Sequence, residues 1–416
     1  MTDSKKKESN IDWIGKIPNT WKILKNKYNF DLSKEIIGSR YNDTQLLSLT
    51  KNGVREIAQD EQKGKVPTSF STYQKVSIND LIMCLFDLDV SAVFSGISKY
   101  NGMISPAYKC LKCKPHIKPE YADYYFRTVF VDRKYKRYSK NVRFSINADE
   151  FMSLPILVPP LNEQKKIVKF LDKNCLIIDS LLSDIQLEIN LLEEYKKSII
   201  AESVTRGLKP DVKIKHTCIE WARDIPSHWK VMPNKYIMKK VKIICSKYNN
   251  EDILSLTMNG VVVRDLEAGG KMPMSFDGYQ IIYPNNLLMC LFDYDVTPRC
   301  IGFIKNKGVT SPAYSQFTLI NGNVSKYYYY YYLMIDNTKE LLHLSKNLRH
   351  SFTEEQLGNI KAIVPPTEEQ LEISNFLDKK CEEIDTIIKS KKEQLMILDD
   401  YKKSLIYEYV TGKKEI

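Results

Sequence analysis

Between Asn162 and Thr205 the chain carries neither glycine nor proline, and its apolar positions fall at Ile178, Leu182, Ile185, Ile189, Leu192 and Ile199. Steps of four and three residues place these on one face of a helix as a heptad seam, interrupted by Lys196. Ile384, Ile388, Leu395, Leu398 and Leu405 repeat the seam, with breaks at Lys391 and Lys402. Pro159-Pro160 stops the preceding strand, Asn162 is the expected N-cap, and Gly207 and Gly412 fall near the C-terminal ends. Such a stripe also suits a helix packed on its own domain. Two of them at matched positions in one chain favour pairing with each other.

Elsewhere short apolar runs are punctuated by Gly, Pro and Asn. Gln45 to Thr50 and Ile78 to Val90 read as strands, and Tyr121 to Val131 reads as a helix with aromatic and basic faces. Residues 1–160 therefore read as a mixed α/β globule. The pattern then returns. Val158-Pro159-Pro160 reappears 206 residues later as Val364-Pro365-Pro366, Phe170-Leu171-Asp172 as Phe376-Leu377-Asp378, and Tyr195-Lys196-Lys197-Ser198 as Tyr401-Lys402-Lys403-Ser404. Residues 81–108 match 287–314 at 15 of 28 positions, too many for chance patterning. Near the start the offset is 208: Trp13, Ile17, Pro18 and Trp21 answer Trp221, Ile225, Pro226 and Trp229. A period this long is a duplicated domain, not a solenoid repeat, and it implies approximate twofold symmetry. The expected organisation is a globule over 1–160, a helix over 161–207, a second globule over 208–366 and a second helix over 367–416.

Composition narrows the function. The 416 residues carry 62 Lys and Arg against 51 Asp and Glu, a net charge of +11, which points to a polyanionic partner such as nucleic acid. No apolar run reaches the ~18 residues of a membrane span, and the polar start is no signal peptide, so no membrane partner is expected. Nine cysteines, odd and scattered, suit a reducing, cytoplasmic compartment.

Catalytic signatures are few. There is no phosphate loop and no dinucleotide-binding glycine pattern, and the Val-Pro-Pro motifs lack what an adenine methyltransferase uses to hold a flipped base. Cys110, Cys113 and His116 resemble half a zinc site, but the second copy has Gln316 and Leu319 instead, so thiols without a metal are expected. Asp87 and Asp89, repeated as Asp293 and Asp295, sit in the strand-like run. They suit turn or cap hydrogen bonds better than base reading or acid–base work.

The basic clusters carry more. Arg133, Lys134, Lys136, Arg137, Lys140 and Arg143 interleave with Tyr135 and Tyr138, and Lys346 and Arg349 answer two of them. Cations bind phosphates and aromatic rings pack on sugars, so these are candidate DNA contacts. Loop residues Lys51, Asn52, Arg55, Ser69, Tyr73 and Gln74, with Asn259, Arg264, Ser275, Tyr279 and Gln280 in the second copy, are of the types that read base edges, although the Asn-Gly pairs also suit hairpin turns. Where Ser91-Ala92-Val93-Phe94 faces Thr297-Pro298-Arg299-Cys300 the copies diverge, so Arg299 is expected to touch DNA only in the second globule.

The ordered set of Ile-Pro-x-x-Trp, Val-Pro-Pro-x-x-Glu-Gln, Phe-Leu-Asp and Tyr-Lys-Lys-Ser, present twice, resembles the specificity subunit of type I restriction-modification systems. The resemblance implies two tandem target recognition domains, each reading half of a bipartite site in double-stranded DNA. It implies that the helices are spacers which pair as an antiparallel coiled coil and dock two modification subunits. S-adenosylmethionine, ATP and Mg would then belong to the modification and restriction subunits, leaving this chain without a cofactor or catalytic residue. A helix from Ile178 to Val204 spans roughly 40 Å at ~1.5 Å per residue, close to the about 34 Å of one DNA turn that separates paired half-sites. The competing reading is a coiled-coil scaffold that binds only protein; salt-dependent binding to duplex DNA separates the two.

Overall fold

The computed structural model describes residues 6–33, 35–50, 53–58, 69–91, 94–131, 133–139, 144–267, 273, 275–345 and 350–416. The chain divides into two compact units, Met1–Gln186 with Glu393–Ile416, and Leu187–Lys392. Its helices are α1 (Asn26–Asn29), α2 (Pro119–Val131), α3 (Ala148–Ser153), α4 (Leu161–Arg206), α5 (Ser325–Thr338), α6 (Glu354–Asn359) and α7 (Thr367–Val410).

In the first unit an antiparallel sheet orders Phe30–Ser33, Lys109–Cys113, Leu81–Met83 and Ser95–Ile97. A second sheet joins the hairpin Leu46–Thr50/Gly53–Ile57 to Gly102–Ile104 and Gln74–Val76, with one parallel pairing at Met103 and Leu46. Helix α2 buries Tyr121, Tyr125 and Phe126 in a core with Trp21, Phe30 and Phe151. Gly102 lets the sheet close, since a Cβ there would meet Gln45 O at 2.5 Å.

The second unit repeats this. Met238–Val241, Ser315–Leu319, Leu287–Met289 and Ile301–Phe303 form the antiparallel sheet. Gly308 stands where Gly102 does, 2.4 Å from Asp252 O by the same construction. Helix α5 carries six consecutive tyrosines, which only a helix buried on most sides accommodates. Several of their hydroxyls are bonded: Tyr327 donates to Val204 O (2.8 Å), Tyr328 to Ile363 O (3.1 Å) and Tyr330 to Asp378 (2.9 Å).

Two expectations need correction. The run Ile78 to Val90 is a strand only at Leu81–Met83. Ser77 donates to the Asp80 carboxylate (2.8 Å) in the turn before it, and Asp87 adopts a left-handed φ of 50° after it, which ends extended pairing. Helix α4 begins at Leu161, so Asn162 lies inside its first turn and Pro160 O takes up Glu163 N and Gln164 N (2.9 and 3.0 Å).

Each unit holds one half of the helix pairing. In the first, Ile178 is buried and Leu182 half-buried on α4, with Leu405 buried on α7, and Lys402 bonds Asp179 at 2.5 Å. In the second, Ile189 is buried and Leu192 and Ile199 half-buried, with Ile384 and Ile388 buried opposite. There Lys196 bonds Asp385 (2.6 Å), Lys391 reaches Glu188, and Lys392 lies 3.7 Å from Glu193. Rising numbers on one helix meet falling numbers on the other, so the segments run antiparallel in each unit. The lysines that interrupt the apolar seam are the residues that fix its register. Ile185, Leu395 and Leu398 are half-buried.

Candidate nucleic-acid interface

The motifs that repeat along the chain hold the scaffold together. Gln164 accepts from Lys118 N (2.8 Å) and donates to Pro159 O (2.8 Å), tying the start of α4 to the start of α2. Gln370 does the same with Val324 N (2.8 Å) and Pro365 O (2.8 Å). Tyr124 donates to Asp172 (2.7 Å) as Tyr330 does to Asp378. The Ile-Pro-x-x-Trp segments are sockets for helix ends. Gly207, at φ 78°, leaves room for the Trp229 ring 3.2 Å from where a Cβ would stand. Gly412, at φ 69°, does so for Pro18 and Trp21, with Pro18 Cδ at 2.3 Å.

Several candidate base readers are folded inward. Gln74 is buried and donates to Tyr108 O (2.9 Å) and Ser105 O (3.3 Å). Gln280 donates likewise to Tyr314 O (2.7 Å) and Ser311 O (2.9 Å). Both amides knot a Ser-Pro-Ala-Tyr turn, which gives the two copies a structural reason to share these residues. Tyr73 is buried edge-on to Phe70 (5.0 Å), and Tyr279 packs on Phe276 in the same way (5.2 Å). Lys134 is buried with its ammonium over Trp13 (4.8 Å) and Tyr407 (5.3 Å), not turned to solvent. Type alone had marked these residues; burial redirects them.

Others lie at the surface. Arg55, Asn259 and Ser275 are exposed and Arg264 is half-buried; Lys136, which caps the Phe144 ring at 4.2 Å, and Arg137, which bonds Asp12 at 3.2 Å, are exposed too. Ser69 is half-buried and bonds Ser71 (3.0 Å). Lys51, Asn52, Lys140, Arg143, Lys346 and Arg349 lie outside the described residues.

The paired Asp-x-Asp segments form exposed turns, not strands. Asp87 O accepts from Val90 N (3.1 Å) and Ser91 N (2.7 Å), and Asp293 O from Val296 N (3.2 Å) and Thr297 N (2.9 Å). At the tips Val90 and Val296 are 74% and 72% exposed, unusual for Val. A cation grips each turn from beneath. Arg133 donates to Leu88 O (3.0 Å) and Ser91 O (2.7 Å) with its guanidinium 4.2 Å over Phe130. Lys339, its counterpart, donates to Thr297 O (2.7 Å) and to buried Asp336 (2.7 Å). Arg299, only 17% exposed, also lies against Asp336, 4.0 Å away. Arg133 stands out in the sequence for its charge, and in the structure it holds the turn above it, a role that no spacing announces.

Burial pushes the Cys110 and Cys113 thiols up to about 12, away from the thiolate a metal binds, and His116 is bonded to Asn29 (3.0 Å). Among the described residues no group of three or more His, Cys, Asp or Glu is placed to hold a metal ion. Among them, too, no helix is long and apolar enough to cross a membrane.

Comparison with known proteins follows this geometry. The family described as "Type I restriction modification DNA specificity domain" matches residues 7–191 and 299–396. A chain of Methanocaldococcus jannaschii, named as a type I restriction enzyme MjaX specificity subunit, is 24% identical over 442 residues, covering 96% of this chain and 95% of its own. A chain from a structure of complex assembly and conformational transition in the type I R-M system aligns with a TM-score of 0.72 at 11% identity, covering 96% of this chain and 99% of that one. The HsdS subunit from Thermoanaerobacter tengcongensis aligns at 0.51 and 13%, covering 96% and 98%. These two likenesses are of fold.

Proposed function

Because this chain belongs to the type I restriction-modification DNA specificity family, we propose that each of its two units reads one half of a bipartite DNA site for a modification enzyme whose catalysis lies elsewhere. The chain is a specificity subunit, and its family is non-catalytic. The exposed turns at Asp87–Ser91 and Asp293–Thr297, with the surface cations around them, supply the two readers. Paired α4 and α7 set the spacing between half-sites. Two modification subunits, carrying S-adenosylmethionine, dock on the helices. Restriction subunits, with ATP and Mg, join them, and the complex works in the cytoplasm.

The observation that carries this reading is that each unit presents its own copy of one apolar patch. In the first unit Leu181 on α4 and Ile397 and Tyr401 on α7 are 45%, 68% and 55% exposed. The second presents their repeat equivalents, Ile387, Leu191 and Tyr195, exposed to a similar extent. One patch per unit suits two copies of one partner.

The test is reconstitution. Alone, the chain should bind duplex DNA with an affinity that falls steeply with salt and transfer no methyl group; with the modification subunits, S-adenosylmethionine should methylate DNA. Leu191→Glu and Ile397→Glu should weaken co-purification of those subunits. Methyl transfer by the isolated chain, or DNA binding indifferent to salt, contradicts the reading.

A further inference from the structure

Two cysteines stand at the base of the second reading turn. The strands Leu287–Met289 and Ile301–Phe303 pair with Met289 opposite Ile301. One step further Cys290 N donates to Cys300 O (2.9 Å), so these two residues face each other across the ladder and close the loop 291–299. Facing residues on antiparallel strands have Cα atoms about 4.5–5.5 Å apart, inside the roughly 4.4–6.8 Å that a disulfide spans. Both side chains are buried and converge beneath Thr297. The Cys290 thiol lies 3.9 Å from Thr297 Oγ1 and donates to Phe292 O (3.3 Å), while the Cys300 thiol donates to Thr297 O (3.7 Å). The neighbouring Cys300 thiol lowers Cys290 from its ordinary value, while the Cys290 thiol together with burial raises Cys300. The Lys339 ammonium, 3.5 Å from Cys300 Sγ, favours negative charge on sulfur there. Both cysteines are free thiols.

The first unit has no such pair at the matching positions. Cys84 occupies the position of Cys290, but Phe94 stands opposite, buried against Phe126 and Phe130. We propose that Cys290 and Cys300 are a reversible dithiol–disulfide couple, a covalent modification site that retunes the second reading turn and leaves the first untouched. The oxidant is a small-molecule disulfide. The Cys290 thiolate attacks one of its sulfurs, releasing one small thiol. Cys300, losing its proton, then displaces the second thiol, and one S–S bond replaces two S–H bonds. Drawing the sulfurs to about 2.05 Å removes the thiol protons bonded to Phe292 O and Thr297 O and the sulfur that Lys339 holds. The turn carrying Thr297 and Arg299 then loses three of its anchors.

The couple itself stands apart from the proposed function; its effect on a half-site rests on it. The folded full chain is incubated with glutathione disulfide, and remaining thiols are alkylated after unfolding and mapped by mass spectrometry. The expected result is a Cys290–Cys300 linkage with Cys84 alkylated, reversed by dithiothreitol and absent in Cys300→Phe, which copies the first unit, and in Cys300→Ser. Full alkylation of both cysteines in the oxidised wild-type chain overturns the couple. In the reconstituted complex, oxidation should cut methylation at least tenfold on duplexes that depend on the second half-site, and less than twofold where only the first is varied. Linkage with both half-sites read as before overturns the retuning. A reduced complex that reads neither half-site speaks against the proposed function, and the linkage result still decides the couple.

Discussion

The two units build one turn on two different foundations. In the first, Arg133 rests on the Phe130 ring and bonds two carbonyls of the turn. In the second, Asp336 stands where Phe130 does and Lys339 where Arg133 does, so the cation pairs with a buried carboxylate and the ring it lies over, 4.6 Å away, is Tyr294 of the turn itself. Both versions put a cation at a left-handed position, φ 52° and 54°, where the chain leaves its aromatic helix. The turn above keeps its form while the chemistry below changes in step. A planar guanidinium stacks and forks well, and an ammonium needs a carboxylate to hold it. A turn can thus be preserved in outline while the side chains that hold it diverge.

Breaking the clamp should separate the units most. Lys339→Met leaves the buried Asp336 carboxylate with no close cation, only the Cys300 N–H (2.9 Å) and the distant Arg299 (4.0 Å), and should cost about 3–5 kcal/mol. Arg133→Met removes hydrogen bonds without stranding a charge, and should cost about 1–3 kcal/mol. Urea melts of the two variants check the order; equal losses would mean Asp336 does not depend on Lys339. Combining Lys339→Arg with Asp336→Phe, which copies the first unit, should recover stability relative to Asp336→Phe alone.

Where the units are alike, the costs should match. Gly102→Ala and Gly308→Ala each drive a Cβ into a backbone oxygen, Gln45 O and Asp252 O. Each should cost about 1–3 kcal/mol, and a marked inequality by the same melts would show that one sheet yields where the other does not. Smaller still are Lys196→Ala and Lys402→Ala. Their ion pairs with Asp385 and Asp179 are partly exposed, so each should lose less than about 1 kcal/mol in a thermal melt, and less again in high salt.

The smallest difference depends on pH. Burial alone would raise the Glu369 carboxyl, but hydrogen bonds from Trp229 (2.8 Å) and His228 (2.7 Å) bring it below its ordinary value. A carboxyl depressed in the folded state adds stability above its unfolded pKa and loses it as pH falls through the folded value. Among the described residues Trp21 Nε1 has no hydrogen-bond partner, so the first unit has no such indole–carboxylate contact. Glu369→Gln should therefore flatten part of the acid-side fall in stability; an unchanged pH profile would remove Glu369 from that account.

The duplication and the helical seam were legible because both depend on spacing along the chain. The register of the seam was not, because Lys196, Lys391 and Lys402 find their acids on the other helix, at positions no single-helix pattern marks. Single DNA contacts were least legible. Gln74 and Gln280 have the side chain of a base reader, yet the sheet buries them and the Ser-Pro-Ala-Tyr turns consume their donors. The strand expected over Ile78 to Val90 failed for a related reason: its apolar run conceals a left-handed Asp87, and hydrophobicity carries no record of φ.

The central claim is that the two globules are separate, interchangeable readers on one antiparallel support. Its most direct test is a chain in which residues 208–366 are replaced by a second copy of residues 1–160, expressed with the modification subunits, with the methylated sites mapped by long-read sequencing. The account predicts a new methylated site made of the first half-site twice, in inverted orientation. Methylation that keeps the original asymmetric site, from a chain that folds and assembles, would contradict it.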